Sequence, residues 1–328
     1  MTAVPLTLFP KITISSINCN SLNMSTLGSI NHKLKVYGIT KLASDIILLS
    51  DIRLCNAAGV SNTSAITDSF RINPYGSYRL ISNSKMNKRG VGILLKNSIP
   101  FLVLREERDG EDNILGLRLS LEGSEFCILS VYGPNNVHPA FFTDLNAVIR
   151  RLGPSPFIIG GDWNCTVSTL NGELNHDTLH MRQSPNIRHS VLLNNLCREL
   201  EASDPFRVKF PNKIDFTYFP SDPLKKNRSR IDFFITSNCL TSQIKKCLIS
   251  PNLQNKSFDH RGITICFKDP PRIIKQPTLS RALLRDPDLE LVVKLAIADT
   301  YIIHSTELPQ DETNNFKRSW SGLLLPST

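Results

Sequence analysis

The feature that most constrains this chain is a succession of short apolar, β-branched runs, each soon broken by glycine or a polar cluster. They fall at 12–18, 45–50, 78–82, 91–95, 99–104, 114–121, 126–132, 157–164, 216–219, 229–235 and 262–267. Such runs are too short for core helices and read as strands. Apolar residues at helical spacing mark 27–42 (Leu27, Ile30, Leu34, Tyr37), 139–152 (Phe142, Leu145, Val148, Ile149) and 187–200. The stretch 239–249 reads as a further strand. Two stretches, 55–70 and 165–185, are polar and aperiodic and read as loops. Residues 1–10 carry two prolines and no period, which predicts a loose lead-in. After residue 267 the texture changes: Pro270, Pro271 and Pro277 break the pattern, and a helix is expected at 282–300. The expected organisation is a domain over 11–268, then a linker and partly helical tail over 269–328.

A chain of 328 residues with 41% apolar composition can bury a sizeable core in one large domain or two smaller ones. The formal charge of +9 favours a polyanionic partner, nucleic acid ahead of an anionic membrane. No apolar run reaches the roughly 18 residues a membrane helix needs, so no membrane partner is expected. The N-terminus lacks a basic segment followed by an apolar core, so an intracellular protein is expected. None of the eight cysteines forms a Cys-x-x-Cys pair, which argues against a thiolate metal site.

The ends of the strands carry the chemical information. The run Ile158-Ile159-Gly160-Gly161 delivers Asp162, Trp163 and Asn164; other exits deliver Asn18 and Asn20, Asp51, Tyr132, Asp232, and Asp259 with His260. Each has an ordinary reading alone: an Asx turn, a surface histidine, a packed tyrosine. Asp232 between Ile231 and Phe233 is less ordinary, because burying a carboxylate is costly unless it is paired. Core packing does not require so many polar strand exits, whereas a functional edge does. The inventory suits phosphodiester hydrolysis. Asp51 and Asn18 can hold a hard divalent cation, which prefers oxygen ligands. Asp162 can orient or deprotonate water. His260, oriented by Asp232, can hydrogen-bond phosphoryl oxygens. Tyr132 and Asn164 can stabilise growing charge.

The motifs Ile17-Asn18-Cys19-Asn20-Ser21, Ser50-Asp51-Ile52-Arg53, Tyr132-Gly133-Pro134-Asn135, Gly161-Asp162-Trp163-Asn164, Arg230-Ile231-Asp232 and Asp259-His260 stand in that order. Together they resemble the endonuclease/exonuclease/phosphatase family, and most closely the apurinic-like endonuclease domains of non-LTR retrotransposons. The resemblance covers about residues 11–268. It implies a four-layer α/β sandwich, two mixed β-sheets packed face to face with helices outside and the site at one edge. It implies Mg²⁺ as cofactor, with Mn²⁺ as the alternative, held by Asn18, Asp51 and Asp259. It implies Tyr132, Asp162, Asn164, Asp232 and His260 as catalytic, and Asn20, Thr217 and Arg230 as phosphate or DNA contacts. The family usually has glutamate where Asp51 stands, so a shorter side chain must reach the metal.

The function this implies is a DNA endonuclease that nicks double-stranded target DNA in the nucleus and leaves a 3′-hydroxyl primer for reverse transcription. The alternatives are a cellular apurinic endonuclease or 3′-repair nuclease, and an inactive nucleic-acid-binding remnant. No Tyr-x-Asp-Asp polymerase motif occurs. A reverse transcriptase partner would therefore lie outside this chain, which is expected to be a fragment or truncated copy acting as a monomer. The basic segments 85–90 and 221–228 are candidates for groove contacts or for solvated loops.

Overall fold

The structure, a computed structural model, describes residues 9–22, 30–55, 61–71, 76–85, 87–167, 176–179, 186–220, 222, 224–250 and 258–267. The first strands and helices are β1 (Thr13–Asn18), α1 (Ile30–Thr40), β2 (Ile46–Ser50), α2 (Thr63–Arg71), β3 (Tyr78–Asn83) and β4 (Val91–Lys96). There follow β5 (Leu102–Arg108), β6 (Ile114–Leu121), β7 (Ser124–Tyr132), α3 (Ala140–Leu152), β8 (Phe157–Asp162), β9 (Thr178–Leu179) and α4 (Ile187–Glu199). The remainder are β10 (Ala202–Ser203), α5 (Pro205–Lys209), β11 (Arg228–Ser229), β12 (Asp232–Ser237), α6 (Asn238–Thr241), β13 (Lys246–Ile249) and β14 (Ile263–Cys266).

These strands build two six-stranded sheets, ordered β13-β14-β1-β2-β4-β3 and β10-β12-β8-β7-β6-β5, and a small β11-β9 pair. Each large sheet is mixed: β1 runs parallel to β2 and β7 to β8, among antiparallel neighbours. The central strands are apolar on both faces because both faces are covered. Ile14, Leu48 and Ile93 of one sheet meet Leu117, Ile128, Ile158 and Phe234 of the other in the middle layer. On the far side of the first sheet, Ile17, Ile47, Leu49 and Leu94 pack under Val36 and Ile39 of α1 and Ile66 and Phe70 of α2. On the far side of the second, Leu129, Ile159, Phe233 and Ile235 pack under Leu145, Val148 and Leu152 of α3 and Leu193 of α4. The four layers are thus α/β/β/α. Gly160 lets the sheets close: a Cβ there would lie 2.5 Å from the Phe234 ring and 2.8 Å from a Leu48 methyl.

Several sequence expectations need correction. The expected loop at 55–70 contains α2, whose two buried residues, Ile66 and Phe70, sit one turn apart in an otherwise polar segment. The segment 239–249 begins with the short helix α6 before β13. The expected strand at 216–219 contributes only isolated bridges through Tyr218. Phe9 belongs to the core and not to a loose lead-in, with its ring 4.8 Å from Phe126 and 4.2 Å from Phe267. The chain divides into units Met1–Asp269 and Pro270–Thr328. The helix expected at 282–300 lies outside the described residues. Among the described residues no helix is long and apolar enough to cross a membrane.

Candidate active site

The antiparallel register of β8 and β12 sets Asp162 directly opposite Asp232, and the parallel register of β7 and β8 sets Tyr132 beside Asp162. Two carboxylates opposite one another repel, so this register requires compensation. His260 provides it. Its Nδ1 lies 2.8 Å from Asp232 Oδ2 and its Nε2 lies 3.9 Å from Asp162 Oδ2. Asn18, from β1 of the facing sheet, donates its amide Nδ2 to Asp162 Oδ2 at 2.9 Å. The backbone N–H of Asn164 donates to Asp162 Oδ1 at 2.9 Å. Asn18, Asp162, Asp232 and His260 are all buried.

The strand-to-loop turn after Asp162 is held from several sides. Trp163 donates its indole N–H to Phe233 O at 3.0 Å and stacks on the Phe233 ring. Asn164 takes a left-handed conformation (φ 49°), and its amide donates to Gly133 O at 2.7 Å. Gly133 in turn donates its N–H to Asp162 O. A Cβ on Gly133 would lie 2.1 Å from Trp163 O, so glycine is required where the two loops touch.

Burial, then the Asp232 charge, pushes the Asp162 carboxyl up to about 7, against the pull of His260 and of its hydrogen bonds to Asn164 and Asn18. Burial alone would lower His260. The charge and hydrogen bond of Asp232, with Asp162 and Asp259 behind it, reverse this and raise the imidazole to about 10. At neutral pH the ring is a cation with both N–H groups available to donate. Burial and the Asp51 and Asp162 charges raise the Tyr132 phenol, which therefore stays neutral and can donate.

Asp51 sits at the turn after β2, in a left-handed conformation (φ 53°). Both its carboxylate oxygens are taken by Arg53, with Nε at 2.8 Å and Nη2 at 2.6 Å. Asn20 donates its amide to Asp259 at 3.3 Å, and its loop is held by Lys35, whose ammonium donates to the carbonyls of Cys19, Asn20 and Ser21. The oxygen-rich set Asn18, Asp51, Asp162, Asp232 and Asp259 has the chemistry a hard divalent cation needs. Asp232 Oδ1 is buried with no hydrogen-bond partner, an opening for such an ion or for water. The candidate ligand atoms of Asp162, Asp232 and His260 lie within 4.8 Å of one another, though His260 would have to give up its proton to ligate. Asp51 does not fit as it stands, because its partner Arg53 already supplies the positive charge.

Two sequence expectations fail. Arg230 is not a DNA contact. Its side chain is 1% exposed and is enclosed by ion pairs to Asp177 (2.6 Å) and Asp204 (2.7 Å). Thr217 is fully buried; its hydroxyl accepts from the backbone N–H groups of Ile231 and Asp232, and so fixes the start of β12. Sequence reasoning gave no role to Arg53, although it stands in the motif with Asp51. It missed Lys35, Asp177 and Asp204, for which no local pattern exists.

No family model matches the chain. Its shape resembles that of the AP endonuclease LMAP from Leishmania major, with 16% identity, 79% of this chain and 88% of the other covered, and a TM-score of 0.62. It also resembles the 3′-5′ exonuclease NExo from Neisseria meningitidis (17%, 78% and 100%, 0.57), a protein also solved with a product DNA hairpin. A third likeness is to the endonuclease domain of TRAS1, a telomere-specific non-LTR retrotransposon (14%, 79% and 99%, 0.53). At 14–17% identity such agreement speaks for architecture, and on it the chain has the endonuclease/exonuclease/phosphatase fold.

Proposed function

We propose that this protein is a divalent-metal-dependent phosphodiesterase acting on DNA, and specifically a retroelement-type endonuclease. It would nick double-stranded target DNA and leave a 3′-hydroxyl primer. The observation that carries this reading is the buried contact chain Asn18–Asp162–His260–Asp232, which joins the two sheets at one edge. A carboxylate raised to about 7 is a proton acceptor suited to neutral pH, and it is held in place by two donors. In this reading Asp162 orients and deprotonates the attacking water. His260, kept cationic by Asp232, donates from Nε2 to a phosphoryl oxygen. The neutral Tyr132 donates to the same developing charge, and Asn164 fixes the loop that carries the base. A divalent ion, Mg²⁺ or Mn²⁺, would supply neutralisation of phosphate charge; of the residues expected to hold it, Asn18, Asp51 and Asp259, Asp51 would first have to part from Arg53.

The positive net charge supports a DNA partner, since phosphate neutralisation supplies most non-specific affinity. A reverse transcriptase partner, action in the nucleus and a monomeric state belong to the same proposal. The likeness to AP endonucleases favours a second reading, a cellular apurinic or 3′-repair nuclease. A supercoiled-plasmid assay tests the first reading: nicking with Mg²⁺, none with EDTA or with Asp162→Ala, and 3′-hydroxyl ends on mapping. Strong preference for an abasic over an intact duplex would move the assignment to the repair class. No Mg²⁺-dependent nicking of either substrate would remove both.

A further inference from the structure

Lys35 lies on α1, and its neighbours Val36 and Ile39 seat that helix on the first sheet. The half-buried Lys35 side chain runs to the turn after β1. There its ammonium donates to three successive carbonyls: Cys19 O at 3.0 Å, Asn20 O at 2.5 Å and Ser21 O at 2.7 Å. An ammonium has three donors and no acceptor, so three carbonyls match its full capacity. Asn20 and Ser21 take left-handed φ values, 43° and 70°. Such conformations are costly for residues with side chains and persist only where the surroundings fix them. Three carbonyl oxygens gathered round one point also repel one another, and a cation at that point turns the repulsion into attraction.

The same turn carries two amides of the site. Asn18, at its start, donates to Asp162 and accepts from the Asn20 backbone N–H at 2.8 Å. Asn20, in its middle, donates to Asp259. The N–H groups of Cys19, Ser21 and Leu22 donate to Ser50 O, Asp51 O and Ile52 O, which ties the turn to the one after β2. We infer that Lys35 is a positioning residue of the site. Its ammonium is the fixed cation that shapes the turn at 19–21, and through that turn it sets Asn18 on Asp162 and Asn20 on Asp259. This rests on the nuclease reading above, in which Asp162 takes the proton of the attacking water. Lys35 acts through the backbone and not by touching substrate, so α1 is part of the frame that holds the base.

The test uses the full chain and two kinds of readout. The first is amide hydrogen exchange without metal or DNA. Lys35→Met, which keeps most of the side-chain bulk and loses the charge, should exchange faster at residues 19–22 and nowhere else. The second is Mg²⁺-dependent nicking of supercoiled plasmid. Lys35→Met should lose about a hundredfold in kcat with KM for DNA little changed, the scale of a small misplacement of a reacting group. In Lys35→Ala, n-propylammonium replaces the missing stem and cation, and should raise nicking about tenfold, the scale of a charge-assisted hydrogen bond. Tetramethylammonium has the charge without an N–H and should not. Wild-type nicking by Lys35→Met overturns the inference. So does faster exchange spread over the whole chain, and so does equal rescue by the two cations. A wild-type chain that fails to nick would remove the nuclease reading, while faster exchange confined to 19–22 would still show Lys35 setting the turn.

Discussion

His260 Nδ1 lies 2.8 Å from Asp232 Oδ2 in a site where the two side chains are 6% and 1% exposed. The pair explains how Asp232 and Asp162 can stand opposite one another on adjacent strands. The imidazolium lies against both carboxylates, and each carboxylate stabilises its proton.

Removing the Asp232 charge should release that proton. In Asp232→Asn the His260 pKa should fall well below about 10, and nicking at neutral pH should fall on the order of a hundredfold or more. Histidine ring resonances followed by NMR across a pH titration check the first part and plasmid nicking the second. An unchanged titration would mean that Asp232 does not hold the ring cationic.

The same shift sets a pH dependence of stability. An imidazole raised from 6.5 to about 10 on folding binds its proton more tightly in the native chain. Its contribution is complete below pH 6.5 and is lost as pH climbs toward 10. Asp162, raised from 3.8 to about 7, is likewise most favourable when protonated, and its contribution is lost between those two values. Between pH 7 and 10 the decline should therefore belong to His260. Urea unfolding in EDTA should show it in wild type and a flatter profile in His260→Gln.

Gly133→Ala tests the contact between the two loops that carry Tyr132 and Asn164. The new methyl would meet the Trp163 carbonyl, which is backbone and cannot swing aside. We expect a loss of about 1–3 kcal/mol in stability, the range for overpacking, and a larger proportional loss of nicking because Asp162 moves with that loop. Wild-type activity with a lowered melting temperature would show that the loop positions nothing.

Arg230→Met separates the buried cluster from a DNA-binding role. Removing Arg230 leaves Asp204 without its cation and Asp177 with Arg207 alone, and should cost roughly 3–5 kcal/mol. The exposed neighbour Arg228→Ala should stay within about 0.5 kcal/mol. Denaturant midpoints distinguish them. If Arg230→Met folded like wild type but bound DNA weakly, the cluster would be an interface after all.

What was legible locally follows from periodicity. The runs 12–18, 45–50, 91–95, 114–121 and 126–132 became β1, β2, β4, β6 and β7, because strands buried on both faces leave an unbroken apolar signature. α2 was missed because two apolar residues, Ile66 and Phe70, are all its face requires. Thr217 and Arg230 were read as ligand contacts because polar residues beside a motif carry no mark of whether they face solvent or the chain itself.

The sequence by itself determined the supply: where most of the long strands form, and that several of them are flanked by a carboxylate, amide, phenol or imidazole. Only the tertiary structure decided the pairings, setting Asp162 against Asp232 by register, His260 between them, Arg53 on Asp51 and Arg230 on Asp177. The reason is range. Strand formation is written in neighbouring residues, whereas the partner of a buried charge lies wherever the folded chain brings one, up to 144 positions away for Asn18 and Asp162.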